Sequence, residues 1–66
     1  MVENNVKKYR RARKLTLEQL AEKSGIPVST INDIEHGAEP RVITALYLAR
    51  SLGATVERLW LLPNFR

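Results

Sequence analysis

The side chains with the clearest chemistry are cations near the start of the sequence, which would attract a polyanion. Residues 1–14 hold six cations and one acid, for a net charge of +5, whereas residues 15–66 hold five cations and six acids, for a net charge of −1. Such a run is consistent with a disordered nucleic-acid arm, one face of a folded helix or a solvated face that serves only solubility. A membrane-surface helix needs a broad apolar face, and the narrow apolar stripe of this segment argues against one, so we expect no membrane partner. The six cations are Lys7, Lys8, Arg10, Arg11, Arg13 and Lys14.

Residues suited to other chemistry are scarce. The chain has no cysteine, one histidine and no glycine-rich phosphate loop, and its acids are scattered. We therefore expect no enzyme activity, no metal site and no cofactor, and we interpret His36 as a residue favoured by a helix end. Without cysteines, a secretory leader or an apolar run of ~18–20 residues, the chain is expected to be cytoplasmic.

The length and composition define the body that must position these charges. The chain has 66 residues, of which 44% are apolar and 27% charged. These values are typical of one small globular domain, which we expect to cover residues 1–66. A chain of this size buries only about 60% of its unfolded surface, which leaves little room for a catalytic cleft.

Apolar spacing and helix-end signals predict an all-helical chain. We expect a first helix over residues 3–14. The second begins after Thr16, which can form a capping box with Gln19, and it ends at Gly25, which can take the left-handed conformation of a tight turn. The third is expected over residues 27–35.

Two further helices complete this prediction. The fourth follows Pro40 and ends at Gly53, and the fifth covers residues 56–61 with Thr55 as its N-cap. Pro63 opposes further helix, so we expect the tail to be extended. The inward stripe of the fourth helix is expected at Val42, Ala45, Leu46, Ala49 and Leu52.

The second and third helices, joined by a glycine turn, fit the helix-turn-helix pattern, although an ordinary helical hairpin shares it. The residues over 15–37 add to the pattern, because they closely resemble the Cro- and phage-repressor-like (Xre-type) helix-turn-helix family. The resemblance continues through residues 40–60 and so covers nearly the whole chain. The matching positions of the core motif are Arg10, Leu15, Thr16, Leu20, Ala21, Gly25, Ser29, Thr30, Ile31, Ile34, Glu35 and Gly37.

This resemblance implies an all-α fold of five helices like that of lambda repressor. It also implies a sequence-specific regulator of transcription that binds double-stranded DNA, usually as a dimer on a two-fold operator. Repression by occlusion of a promoter is the simplest output, and such a protein would be associated with the nucleoid when bound to DNA.

The resemblance also implies three kinds of site residue. The third helix would read base edges, a second set would contact the DNA backbone, and an ion pair would tie the first helix to the end of the third. The base-reading positions are Val28, Ser29, Asn32 and Asp33. The backbone positions are Arg13, Lys14, Thr16, Thr30, His36 and Arg41. The ion pair joins Arg10 to Glu35.

Three positions depart from residues common in the family. Leu17 stands where glutamine often contacts DNA, and leucine cannot donate a hydrogen bond there. Val28 and Asp33 replace polar or basic residues, so no positive side chain lies between Pro27 and Glu35. Affinity would then depend on the cations of the first helix and on DNA shape. Asp33 can accept from a cytosine amino group, repel phosphate at wrong sites, or be a plain surface acid.

The C-terminal residues carry more apolar surface than a body of this size buries, and such patches usually mark interfaces. We expect the fifth helix and the tail to form a homodimer contact, with a short strand beside residues 1–3 as one form of it. The alternative is that the tail folds back over its own core, with a tryptophan capping that core. The interface residues would be Trp60, Leu61, Leu62 and Phe65.

Two other functions remain beside that of a DNA-binding regulator. An antitoxin-like interaction module of the same fold would bind a partner protein through its apolar tail. A nonspecific nucleoid-type binder would depend on Lys7, Lys8 and Arg11 and not on Ser29 or Asn32.

Overall fold

A computed structural model describes residues 2–61 of the chain. Five α-helices account for its regular structure, and residues 2–61 contain no strand. The all-α class and the five helices are therefore as the sequence predicts. In chain order the helices are α1 (Val6–Ala12), α2 (Leu17–Ser24), α3 (Val28–Glu35), α4 (Val42–Leu52) and α5 (Val56–Leu59).

The core lies where the other helices pack around α4. Helices α1 and α2 each pack against both α3 and α4, and α5 packs against α4. Every helix contributes at least one fully buried aliphatic side chain, which is the arrangement by which small helical domains cover a shared core. The largest fully buried side chains are Val6, Leu20, Ile31, Leu48, Leu52 and Leu59.

The hairpin of α2 and α3 is fixed at both ends of α2. The Thr16 hydroxyl accepts from the Gln19 backbone N–H at 3.0 Å, and the Gln19 side chain accepts from the Thr16 N–H at 2.8 Å, which is the predicted capping box. Gly25 ends the helix with a φ of 78°, a region that costs side-chain-bearing residues free energy. Ile26 then turns into the core before α3 begins.

The connection from α1 to α2 uses a lysine where a glycine is usual. Lys14 has a φ of 56°. Its N–H donates to the Arg11 carbonyl at 2.9 Å, and the Leu15 N–H donates to the Arg10 carbonyl at 3.1 Å. These two bonds form a Schellman motif, which satisfies carbonyls that the helix end would leave unpaired.

Both terminal helices are shorter than the sequence predicts. Helix α1 starts at Val6 rather than residue 3, because residues 2–5 bond to other parts of the chain. Helix α5 ends at Leu59 rather than residue 61, and Trp60 has an extended backbone with ψ of 110°. The predicted tail contact of Leu62 and Phe65 lies outside the described residues.

The set of α4 residues that face the core differs in part from the prediction. Ala45, Leu48, Ala49 and Leu52 are its buried residues. Leu46, expected to face inward, is half exposed, and Val42 is 78% exposed. Three residues of the predicted stripe, Ala45, Ala49 and Leu52, are buried as expected, whereas Leu48 is buried in place of Leu46. The sequence does not separate the two leucines, since α4 is apolar on most of its circumference.

None of the helices within residues 2–61 has the length and apolar character needed to cross a membrane.

Candidate nucleic-acid interface

The outward surface of α3 carries all four residues expected to read bases. Ile31 and Ile34 point into the core, so the opposite side of the helix faces solvent. Val28 is half-buried, and the other three side chains are exposed: Ser29, Asn32 and Asp33. None of these three takes part in a side-chain hydrogen bond within residues 2–61, so their donors and acceptors face water.

The helix is anchored from behind by Arg10 and Glu35. Arg10 Nε donates to Glu35 Oε2 at 2.7 Å, and Arg10 Nη2 donates to Oε1 at 3.2 Å. The third donor, Nη1, reaches the Leu15 carbonyl at 2.8 Å. The two side chains are 10% and 3% exposed. The pair therefore joins the end of α3 to α1 and to the connection that leads into α2.

The ion pair with Glu35 favours the charged form of Arg10. The hydrogen bond to Glu35 raises the pKa of the Arg10 guanidinium above its ordinary value, and burial opposes this by a smaller amount. A bidentate, charge-assisted pair of this kind is strong and geometrically specific.

Two of the backbone candidates lie beside the start of α4. Thr30 and Arg41 line a cavity of about 410 Å³ between α3 and α4. The cavity is also lined by Thr44, a residue that the sequence reasoning missed although it follows Arg41 by three positions in a helical first turn. Asp33 and Glu39 lie on the same cavity, so the local charge is mixed and not purely basic.

His36 lies one residue beyond α3. Its Nδ1 is 2.7 Å from the Asn32 carbonyl oxygen. A carbonyl can only accept, so Nδ1 carries the proton and donates. The other ring nitrogen, Nε2, is then the atom of this exposed side chain that is left for an outside partner.

Thr16, at the start of α2, already uses its hydroxyl group in the capping box. Its hydroxyl oxygen accepts from Gln19, but the hydroxyl hydrogen remains available to a phosphate. Glu18 occupies the first turn of the helix. Leu17, at the departure from the family pattern, is half-buried and packs against the core cluster.

Arg13 lies at the opposite end of α4 from Arg41. Its guanidinium is 5.4 Å from the centroid of the Tyr9 ring, a cation–π arrangement. The Arg13 side chain also lies close to Gly53, because its Nη2 is 3.6 Å from the position that a β-carbon on Gly53 would occupy. Gly53 ends α4 and Arg41 precedes it, and 11 residues of helix separate the two, about 16 Å. The structure therefore does not bring Arg13 and Arg41 together. Lys14 is exposed in the turn just before Thr16.

The interface prediction needs a correction at Trp60. Trp60 is 4% exposed and belongs to the core of this chain, which fits the alternative of a tryptophan that caps the core. Leu61 is 70% exposed. The larger apolar surface lies on α4, at Val42, Ile43, Leu46 and Tyr47.

A groove runs between α4 and α5 beside this surface. Its volume is about 780 Å³, and its lining is mostly apolar, with Leu46, Val56 and Trp60 among the contributors. Three charged residues lie on its walls: Glu39, Arg50 and Glu57. In the described part of the chain, no three histidine or acidic side chains come together as a metal site.

A glycine-turn helix pair, anchored by a buried ion pair and presenting a polar outer face on its second helix, defines a DNA-binding helix-turn-helix domain. A family model described as "Helix-turn-helix" matches residues 6–59. The chain belongs to this family, the Xre/Cro-type helix-turn-helix proteins, and is a DNA-binding regulator domain with a lambda-repressor-like fold. No curated protein matches the chain.

Proposed function

We propose that this chain is a transcriptional repressor that binds a palindromic operator as a homodimer. The observation that carries the proposal is the outward face of α3, where Ser29, Asn32 and Asp33 are exposed and keep their side-chain hydrogen-bonding groups uncommitted. Two copies of α3 would enter successive major grooves, and the bound dimer would occlude a promoter.

Base reading follows from the chemistry of the α3 face. The Asn32 amide offers a donor and an acceptor in the geometry that pairs with the edge of adenine. Ser29 can bond to several bases, and Val28 offers methyl groups to a thymine methyl. Asp33 accepts from the amino group of cytosine and repels phosphate when the helix is out of register.

Contacts with the DNA backbone would come from both sides of α3. The free N–H groups at the start of α2 and the Thr16 hydroxyl suit one phosphate. Arg41 and Thr30, on one cavity beside α3, suit another. Arg13, Lys14 and His36 remain proposed backbone residues. These contacts set the register, and the face of α3 sets the sequence.

The homodimer is proposed on α4 rather than on the tail. Val42, Ile43, Leu46 and Tyr47 form an exposed apolar surface on one helix, contiguous with the apolar groove toward α5. Because Arg50 lies on the same groove as Glu39 and Glu57, a two-fold related copy can place its arginine against the acids of this one. A helix that is apolar on most sides is covered in solution by another surface, and a second copy meets both the apolar and the charge requirements.

Selection of bound sequences from a random pool of duplexes at physiological salt tests the proposal. A palindromic consensus with half-sites about one helical turn apart is expected. Asn32→Ala should broaden the consensus at one position in each half-site. Lys23→Ala, an exposed cation at the far end of α2, is the matched control and should leave the consensus unchanged. Recovery of unselected sequences from the parent chain would refute the regulator.

The α4 surface also favours a second candidate, an antitoxin-like module that binds another protein. The absence of a cation on α3 would weaken its contacts with DNA, and the apolar groove would receive the partner. This function predicts no duplex preference and a heteromeric complex that buries Leu46. In this case the chain would bind a protein rather than DNA. The selection of duplexes distinguishes the two functions, because only the regulator would enrich a consensus sequence. We propose a cytoplasmic, nucleoid-associated location for the regulator.

A further inference from the structure

Residues 2–5 lie against the C-terminal end of α3. The Val2 N–H donates to the Gly37 carbonyl at 2.8 Å. Asn4 Nδ2 donates to the Ile34 carbonyl at 2.8 Å. Ile34 is in the last turn of α3, and its carbonyl also accepts from the Gly37 N–H at 3.0 Å, so the Asn4 amide adds a second bond at this helix end. The segment therefore holds the end of the helix that carries the base-reading face.

The same segment lies against α5 on its other side. The Asn5 N–H donates to the Leu59 carbonyl at 2.7 Å, and Asn5 Nδ2 donates to the Arg58 carbonyl at 3.2 Å. These two carbonyls belong to the last residues of α5. Asn4 and Asn5, adjacent in sequence, thus bond to the ends of two different helices.

The segment is also fixed to α1. Asn4 Oδ1 accepts from the Val6 N–H at 3.0 Å, so one amide group spans from the start of α1 to the end of α3. Val6 is fully buried. The segment is therefore held by backbone and side-chain bonds on three helices and transmits their relative positions.

We propose that Asn4 and Asn5 are positioning residues that set the orientation of α3 relative to α5. This inference rests on the proposed function, in which α4 and α5 carry the dimer surface. Helix α5 packs on α4, whereas α3 packs on α1 and α2. The hydrogen bonds of residues 2–5 are a direct link between the dimer side and the base-reading side.

The consequence for DNA binding is specific. A dimer gains affinity from two half-sites only when its geometry lets both engage at once. The angle between α3 and the two-fold axis therefore fixes which half-site spacing is bound. Loss of this link should lower the affinity for the full operator and reduce the difference in affinity between half-site spacings. The affinity for a single half-site should be unchanged, because one half-site contacts only one α3.

Asn4→Asp isolates the link to α3. The carboxylate keeps the acceptor for the Val6 N–H but lacks the donor for the Ile34 carbonyl. Asn5→Ala removes the side-chain donor to Arg58 and keeps the backbone bond to Leu59. Glu3→Gln, an exposed neighbour in the same segment, is the matched control.

The test measures binding of each variant to the selected operator, to operators with one base pair added or removed between half-sites, and to a single half-site. For Asn4→Asp we expect about a tenfold loss on the operator, less than about twofold on the half-site, and a smaller difference between spacings. Equal losses on both duplexes, or no loss on either, would overturn the positioning role. A variant that melts far below the parent is replaced by Asn5→Ala, for which the same pattern is expected.

A measurement without DNA keeps the two proposals separate. Residual dipolar couplings of backbone N–H groups report the angle between α3 and α5 in the free chain. We expect this angle to change in Asn4→Asp and to be unchanged in Glu3→Gln. An unchanged angle in Asn4→Asp would refute the positioning role even if the parent chain selects an operator. A parent chain without duplex preference would instead overturn the regulator, and with it the role of the angle in operator binding.

Discussion

Arg10 and Glu35 form a bidentate ion pair, with Nε 2.7 Å from Oε2 and Nη2 3.2 Å from Oε1, that closes the back of the helix-turn-helix. Glu35 is the last residue of α3, and Arg10 is a buried residue of α1. Breaking such a pair leaves the remaining charge buried without its partner, which costs more than the pair contributes when intact.

Glu35→Ala should therefore lower the free energy of unfolding by about 3–5 kcal/mol, a large part of the stability of a small domain. Urea denaturation followed by circular dichroism measures the change. Glu22→Ala, at an exposed acid of α2, is the control and should shift stability by less than about 0.5 kcal/mol. Similar losses in the two variants would contradict a buried structural pair.

The pKa of Arg10 gives a second prediction. Its folded value is raised, chiefly by the hydrogen bond to Glu35. A base with a raised folded pKa contributes stability that is complete below its unfolded pKa and is lost as pH rises through the folded pKa. For arginine both values lie well above the pH range in which the protein is studied. The difference in unfolding free energy between the parent and Arg10→Met should thus stay constant from about pH 7 to about pH 10, and a decline across that range would contradict the prediction.

Lys14 offers a way to raise stability. Its φ of 56° costs a residue with a β-carbon roughly 1 kcal/mol relative to glycine. Lys14→Gly should therefore be more stable than Lys14→Ala by about that amount. Both variants lose the same charge, so their difference isolates the backbone. Thermal unfolding of the two proteins is the measurement, and equal melting temperatures would show that the turn is not strained.

The sequence predicted the α2–α3 hairpin in detail because its signals are local. A capping box needs Thr16 and Gln19 three residues apart, and Gly25 meets the left-handed requirement of the turn by itself. Lys14 in the same conformation carries no such signal, since lysine is not typical of the left-handed region and the turn is held by the Schellman bonds. The turn at the end of α1 could thus be located but its geometry could not.

For the candidate site as well, features with a local sequence signal were predicted, and features that depend on packing were not. The outward positions of α3 follow from the inward Ile31 and Ile34, and the structure exposes Ser29, Asn32 and Asp33 accordingly. The face of α4 was predicted only in part: Ala45, Ala49 and Leu52 are buried as expected, but Leu46 and Leu48 are equally apolar, and only the packing of the other helices decides between them. Trp60 was placed in an interface for a related reason, as its burial depends on where α5 ends.

The exposed face of α4 predicts how the chain associates. Leu46→Glu places a charge at the centre of the proposed dimer surface, where it would be desolvated without a partner. We expect the chain to shift from dimer to monomer in sedimentation equilibrium while its helical circular dichroism is unchanged. Ala12→Glu adds the same charge at an exposed position of α1 and should remain dimeric. A dimer that survives Leu46→Glu would move the interface away from α4.

Asn32 and Arg41 should separate specificity from affinity. Asn32 lies on the outward face of α3, whereas Arg41 lies on the cavity beside it, at the start of α4. Asn32→Ala should lose about 1–3 kcal/mol on the operator and much less on unrelated duplexes, because only the correct base pairs with the amide. Arg41→Ala should weaken binding to all duplexes alike and reduce the slope of log K against log salt by about one.

Fluorescence anisotropy with the operator and a scrambled duplex, at several salt concentrations, measures both quantities for each variant. Lys23→Ala is the control for a lost cation, since Lys23 is exposed in the last turn of α2 and should leave the salt slope unchanged. If Arg41→Ala lowered affinity for the operator without changing the slope, Arg41 would act through the position of α3 rather than through phosphate. If Asn32→Ala lost the same factor on both duplexes, the amide would contact the backbone, and base reading would rest on Ser29 and Asp33.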